Sequence, residues 1–249
     1  MDYKGPLAYD EKDFLETYLS RRARPDSPNN AIEGPIIRRM IGTVQDADVL
    51  DLGCGDGQYG KELLEKGVKS YTGLEGSSGM FALASKNLAS GKGNLIHSTM
   101  ESFDYPENEY DLVVSRMAIH YIENLKQLFE SVRKTMKDKG QFVFSVQHPL
   151  TTGSFKSKSD GERKGDWIVD DYFLQGERQE PWMGKTIVKY HRTIEFYFSA
   201  LVAAGFHIDA MQEGEPEEKN FSSEEEFERR RRIPIILIFS CRKAASVKY

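Results

Sequence analysis

The chain is predicted to fold as an α/β domain around a mostly parallel, doubly wound sheet, and three observations lead there. Short apolar runs of strand character alternate with helical patterns between residues 48 and 146; the first run ends in a glycine cluster, L-G-C-G-D-G; and two more apolar runs, separated by an acidic loop, close the sequence. Strands alternating with helices form βαβ units, whose crossovers are right-handed and whose strands lie parallel.

Taken in order, Asp10 to Arg24 places Phe14, Leu15, Tyr18 and Leu19 at helical spacing, and Pro25 and Pro28 end that helix. A second helix is expected over Ile32 to Ile41. Strands follow at Asp48–Leu52, Ser70–Leu74, Asn94–His97, Asp111–Ser115 and Gln141–Val146, with helices at Tyr59–Lys66, Ser78–Ala89 and Leu125–Met136 between them. After Pro149 the pattern breaks. Leu150 to Thr186 is rich in Gly, Ser, Lys and Asp and carries isolated large aromatics at Trp167, Tyr172, Phe173 and Trp182. A connection of that length without regular structure is uncommon inside a compact domain unless it is functional. The chain then reads as helix Thr193–Ala204 stopped by Gly205, strand Phe206–Met211, the acidic loop, and strand Pro234–Cys241. The charge run Glu224 to Arg232 is expected to be a solvated helix face whose charges pair among themselves.

The 249 residues suffice for one sizeable core, and a net charge of -5 offers no global attraction for nucleic acid or an anionic membrane. No apolar stretch approaches the ~20 residues that span a bilayer, and the first residues lack a signal-peptide pattern. A cytoplasmic protein is expected. Two cysteines, Cys54 and Cys241, are too few for a disulfide framework or a cysteine zinc site. No His, Cys and carboxylate set near the glycines has ligand spacing, so no metal is expected.

Residues Gly55 to Gly60, G-D-G-Q-Y-G, match the dinucleotide fingerprint G-x-G-x-x-G letter for letter. The register disagrees. That fingerprint begins directly after the strand, where the first glycine is Gly53, and counting from Gly53 puts Gln58 at the third glycine position. Asp51, beside the loop, would also oppose a pyrophosphate, since like charges in a partly desolvated site are costly. A cationic ligand suits it better. Glu75, ending the next strand, has the position and chemistry to accept two ribose hydroxyls.

Together, V-L-D-L-G-C-G-D-G, then G-L-E-G-S, then Y-D-L-V-V-S-R-M-A-I-H-Y resemble the class I S-adenosylmethionine-dependent methyltransferases, closest to the small-molecule group called methyltransferase type 11 or UbiE-like. The resemblance is strong from Glu33 to Val146 and weaker to the end. It implies a Rossmann-like, mostly parallel seven-stranded sheet with a C-terminal antiparallel pair, preceded by N-terminal helices and carrying an inserted cap. On that plan the chain is a single domain: an N-terminal helical lid to residue 46, a cofactor-binding core over 47–149, a cap over 150–190, and a C-terminal helix and strand pair over 191–249.

The resemblance further implies S-adenosylmethionine as cofactor. Asp51 and the loop of Gly53, Cys54, Gly55 and Gly57 would surround its methionine part; Glu75 would take the ribose hydroxyls, with Gly76, Ser77 and Met80 alongside; and Met100 would lie against the adenine. Where the family often has an acidic residue just before that methionine, this chain has Thr99, and Thr99 or Glu101 would serve instead. Ser115 completes this set. From the N-terminal helix, Tyr18 and Arg22 share one face, and Arg22, in competition with Arg21 and Arg24, would meet the cofactor carboxylate.

Methyl transfer needs alignment and exclusion of water more than a dedicated catalytic group. Where the acceptor must lose a proton, histidine suits the task near neutrality, and His120, His148 and His191 stand as candidates. Trp167, Tyr172, Phe173 and Trp182 are expected to cap the acceptor pocket. A small-molecule acceptor is the leading expectation. The N/D-P-P-Y/F motif of amino methylases and the cysteine nucleophile of ring-carbon cytosine methylases are missing after the fourth strand, yet four arginines at 229–232 keep a tRNA substrate open. An NAD(P)-dependent oxidoreductase and a non-catalytic cofactor-binding module are the remaining alternatives.

Overall fold

The computed structural model describes residues 2–89, 91, 93–153 and 166–244. In chain order the elements are β1 (Asp2–Lys4), α1 (Lys12–Ala23), α2 (Gly34–Ile41), β2 (Asp48–Leu52), α3 (Gln58–Glu65), β3 (Ser70–Glu75), α4 (Ser78–Asn87), β4 (Gly93–His97), β5 (Tyr110–Arg116), α5 (Leu125–Thr135), β6 (Met136–Gln147), α6 (Pro149–Thr152), β7 (Gly176–Trp182), β8 (Lys185–His191), α7 (Ile194–Ala203), β9 (Phe206–Gln212), α8 (Glu224–Arg231) and β10 (Ile236–Lys243). A tight turn over Gly5–Asp10 joins β1 to α1, and a wide turn over Asn29–Glu33 runs straight into α2.

Seven strands form the main sheet in the order β4-β3-β2-β5-β6-β10-β9. All pairs from β4 to β6 are parallel, and β10 lies antiparallel between β6 and β9. Helices cover both faces, so the central strands are apolar on both sides. On one face α5 and α7 pack Phe129, Val132, Tyr197 and Leu201 against Phe142, Phe144 and Phe239; on the other, α2, α3 and α4 pack Ile37, Leu63, Ala84 and Leu88 against Val49, Val114 and Val143. Among the described residues, no helix is long and apolar enough to cross a membrane.

The expected strands and helices of the main sheet are all present, shifted at their ends by a few residues, most at β6, which begins at Met136 rather than Gln141. The expected helix over Ile32 to Ile41 is α2, entered through the turn before it. The insertion is where expectation and structure part. Leu150 to Thr186 is not an unstructured connection: it begins with α6 and ends in an antiparallel hairpin, β7 and β8, whose second strand pairs in parallel with β1 to make a separate three-stranded sheet. The hairpin was hidden because β7 carries Glu177, Arg178, Glu180 and Pro181, and because its two-residue turn is Met183-Gly184, both at positive φ (50° and 74°), instead of a residue pair such as Asn-Gly that announces one. Residues 154–165 of the insertion lie outside the described residues.

Candidate active site

The carboxyl ends of β2, β3 and β5 open into a cavity of about 120 Å³. Gly53 turns the chain out of β2: its N–H and that of Cys54 both donate to the Leu74 carbonyl at 2.9 Å, its φ is +75°, and a Cβ there would stand 2.7 Å from Ala118 Cβ. Only glycine fits this turn. Glu75, at the end of β3, accepts the Gly55 N–H and the Ser77 N–H, each at 2.8 Å, one on each carboxylate oxygen. Burial pushes its carboxyl up to about 7, against the pull of those backbone donors.

Asp51 lies beneath the glycine turn, 2% exposed. Tyr71 donates its hydroxyl to Asp51 Oδ2 at 2.9 Å, while Oδ1 is buried with no hydrogen-bond partner among the described residues. Burial raises this carboxyl to about 6, with the Tyr71 bond and the Arg116 charge acting the other way. Tyr71 reaches Asp51 because Gly60 lets α3 rest on its ring; a Cβ on Gly60 would fall 2.3 Å from Tyr71 Cζ. The third glycine of the literal fingerprint therefore serves helix-on-sheet packing.

Of the residues expected around a cofactor, Tyr18, Gly53, Gly55, Glu75, Gly76, Met80, Thr99, Met100 and Glu101 line this cavity. Asp51, Cys54, Ser77 and Ser115 are buried behind its wall. Ser77 caps α4 through the Met80 N–H, Ser115 donates to the Leu52 carbonyl at 2.8 Å, and Gly57 packs on Ala84 at the start of α3. Thr99 gives its hydroxyl proton to Ser102 Oγ at 3.1 Å. Arg22 lines a second cavity instead.

Sequence reasoning missed two parts of the wall. Gly5, Pro6 and Tyr9 cover the cavity from the N-terminal turn, which Asp10 ties down by accepting from Ser77 Oγ at 2.8 Å and the Gly79 N–H at 3.2 Å. Nothing periodic in M-D-Y-K-G-P-L-A-Y-D signals this. The other is Arg116, which lines the cavity while its guanidinium makes a multiple ion pair with the fully buried Glu33 and stacks 4.5 Å over Tyr59. Glu33 also accepts from Ser145 Oγ at 2.8 Å. Burial opposes the Arg116 charge, but Glu33 outweighs it and holds the guanidinium protonated above its ordinary value.

The second cavity, about 1100 Å³, lies beside the first and shares Tyr9, Tyr18, Met117 and Tyr121 with it. Around that shared wall Tyr9, Phe14, Tyr18 and Trp182 meet edge to face at 4.9–5.9 Å. Trp167 and Trp182 line the large cavity. Tyr172 and Phe173 stand apart from it, Tyr172 giving its carbonyl to His191 and Phe173 lying 85% exposed. Of the three histidines only His120 faces the cavity, with Nδ1 buried and unpartnered among the described residues. Burial, aided by the charges of Lys189 and Arg192, holds its imidazole well below the usual range. In His148, Nδ1 accepts the Leu150 N–H at 3.1 Å and Nε2 meets Glu213 at 3.0 Å. In His191, Nε2 donates to the Tyr172 carbonyl at 2.8 Å, which leaves Nδ1 to accept from Thr152 Oγ1 at 2.7 Å. Both ring nitrogens are engaged in each.

The large cavity is cationic. Among the described residues, Arg21, Arg22 and Arg24 of the α1 end, Arg229 and Arg230 of α8, and Lys185 and Lys189 of β8 line it, against one carboxylate, Glu180. The charge run of α8 does pair within itself, Arg229 with Glu226 and Arg231 with Glu228, each at 2.9 Å, yet its Arg229 and Arg230 turn toward the cavity instead of being wholly a solvated face.

Residues 50–144 match the family profile described as a methyltransferase domain. An S-adenosylmethionine-dependent methyltransferase of Mesorhizobium loti superposes with a TM-score of 0.79 at 29% identity, over 87% of this chain and 100% of that one. A Listeria monocytogenes protein, provisionally assigned as an S-adenosylmethionine-dependent methyltransferase, superposes with a TM-score of 0.77 at 30% identity, over 85% of this chain and 96% of that one. An uncharacterized protein of Haemophilus influenzae is 32% identical over 215 residues, 82% of this chain and 85% of that one. The fold, glycine turn and acidic strand end thus belong to an enzyme class that uses S-adenosylmethionine. The chain is a member of the class I S-adenosylmethionine-dependent methyltransferases.

Proposed function

We propose that the enzyme methylates a small-molecule acceptor held in the large cavity, with S-adenosylmethionine in the small one. The observation that carries this reading is the shared wall of Tyr9, Tyr18, Met117 and Tyr121, which puts the two sites side by side. When bound, the cofactor supplies the methyl group on a sulfonium, a cation that the buried carboxylates suit. The orphaned Asp51 Oδ1 is the test of fit: a buried acceptor without a donor is costly, and an ammonium group or its bridging water would satisfy it. Glu75 would hold the ribose, Met80 and Met100 would flank the adenine, and Arg22, which lines the large cavity one helical turn from the shared Tyr18, would take the carboxylate.

On this reading the N-terminal segment to residue 46 is a lid and 150–190 a cap, since Tyr9 to Asn29 and Trp167 to Lys189 supply most of the large cavity's wall. These segments exclude water while the sheet loops hold the cofactor. His120 is the general base for an acceptor that must lose a proton. Its imidazole is kept neutral and its Nδ1 is unpartnered.

A screen of metabolite fractions with methyl-labelled cofactor tests the proposal. Label should enter a small molecule, and His120→Gln should lower kcat while leaving S-adenosylhomocysteine affinity unchanged. Label that enters only RNA, or none of the fractions, would overturn it.

A further inference from the structure

The charge of the large cavity is opposite to that of the chain. Among the described residues its seven lining cations are answered by one lining carboxylate, Glu180, which pairs with Lys189. Behind the wall, Glu226 serves both Arg229 (2.9 Å) and Arg230 (3.7 Å), Asp26 stands 3.9 Å from Arg24, and Glu11 stands 3.9 Å from Lys185. Setting Arg22 aside for the cofactor leaves, among the described residues and their ion pairs, six cations against four carboxylates, a surplus of two positive charges.

Half of these cations are gathered in one place: among the described residues Arg24, Arg229 and Arg230 share two carboxylates, Asp26 and Glu226. Arg230 is 13% exposed, its Nε is buried without a hydrogen-bond partner among the described residues, and the charges of Arg229 and Arg24 act against its own. Burial, then the charge of Arg229, lowers its guanidinium to about 10. Gathering like charges away from water is unfavourable unless something of opposite sign joins them. A planar guanidinium with open donors matches the oxygens of a carboxylate or phosphate.

We infer that the methyl acceptor is an anionic small molecule, whose carboxylate or phosphate oxygens are received by Arg230 with Arg24 and Arg229 at the α8 side of the large cavity. This rests on the assignment of that cavity to the acceptor. The anionic group would anchor one end of the molecule, so that the methylated atom faces the Tyr9–Tyr121 wall.

The test uses calorimetry of the full chain saturated with S-adenosylhomocysteine, with inorganic pyrophosphate and succinate as separate probes. At least one should bind, more weakly as salt is raised, and Arg230→Gln should weaken it by about tenfold or more, the loss expected for hydrogen bonds to a charged group. Arg24→Gln, on a side chain 57% exposed and so harmless to folding, should act in the same direction. Arg242→Gln, which pairs with Asp209 at the far end of β10, should have no effect. Binding of neither probe, or binding unmoved by Arg230→Gln and Arg24→Gln, would overturn the inference, as would a structured RNA that binds where both small anions fail. The underlying cavity assignment is read separately by Thr17→Trp, which narrows the cavity from an exposed face of α1. If Thr17→Trp raises the acceptor KM while the arginine variants do not, only the anionic character is wrong; if it leaves KM unchanged, the cavity assignment fails and this inference with it.

Discussion

At the carboxyl ends of β2 and β3 the small cavity is walled by glycine turns, Glu75 and mostly apolar side chains, with Asp51 buried behind them; across Tyr9, Tyr18, Met117 and Tyr121 the large cavity gathers seven cationic side chains among its described lining. Most of the small cavity comes from successive loops of one sheet, so that part of its shape follows from strand order, while Gly5, Pro6, Tyr9 and Tyr18 cover it from the N-terminal segment. The large cavity draws on α1, the hairpin, α6 and α8, segments that lie far apart in the chain. Such a division suits an enzyme whose one ligand is fixed by its family and whose other ligand is particular to it. On the proposed assignment the sheet would supply the common cofactor site, and the added segments would carry what distinguishes this chain.

The largest expected effect breaks the frame common to both cavities. Glu33→Ala would strand the Arg116 guanidinium, 12% exposed, without its buried partner, and should cost about 3–5 kcal/mol of stability, measured by denaturant unfolding. A variant as stable as the parent would show that Arg116 finds another partner. Next, Glu75→Ala should weaken S-adenosylhomocysteine binding by about 1.5–3 kcal/mol while pyrophosphate binding in the large cavity holds. Equal losses of both ligands would erase the distinction between the two regions.

Acidity should act on the small cavity alone. Asp51 and Glu75 titrate near 6 and 7 in the folded chain, above their ordinary 3.8 and 4.5. Folding therefore takes up protons in this interval, so these carboxyls stabilise the ligand-free protein at low pH, and that contribution is lost as pH rises through about 6 to 7. A cationic ligand prefers the ionised pair. S-adenosylmethionine affinity should then rise over the same interval, by up to about tenfold per pH unit for each carboxyl still protonated. Calorimetry at pH 5.5 and 8 would show it, and a flat profile would mean that the ligand does not meet these groups.

Smaller changes sharpen the comparison. Trp182→Ala removes edge contacts to Phe14 and Tyr18 at the cavity wall, each worth about 0.5–1.5 kcal/mol, and should lower kcat/KM for the acceptor about fivefold with cofactor affinity unaltered. Exhaustive chelation should leave cofactor affinity where it was, since no group of three His, Cys, Asp or Glu among the described residues could hold a metal.

How much of this was legible in the sequence follows the same division. Val49 to Gly57 and Leu74 to Met80 could be read because a strand, a turn and an acidic strand end recur at fixed short offsets, each demanded by local geometry. Glu33 with Arg116 could not, because 83 residues separate them and neither residue announces a partner. The same holds for Pro6 and Tyr9, whose segment has no periodicity and is held by Asp10 accepting from Ser77 and Gly79 at the distant start of α4. Among the histidines, sequence placed all three near strand ends or helix starts, but which ring is open depends on what each nitrogen touches. His148 and His191 meet Leu150, Glu213, Thr152 and Tyr172, whereas His120 keeps Nδ1 free. The arginines of α8 read as a solvated run because charge composition does not show which way a helix turns.

The pairing of β1 with β8 joins Asp2 to Thr186, Tyr3 to Ile187 and Lys4 to Val188. Each of these pairs joins residues 184 positions apart, whereas the loops around Glu75 are built from strands that neighbour one another closely in the chain. Closing so long a loop for three residue pairs is entropically dear, and long-range contacts of this kind form late in folding. The roof over the small cavity thus rests on a three-residue strand paired across 184 positions, which makes it the wall expected to open first when the native state breathes.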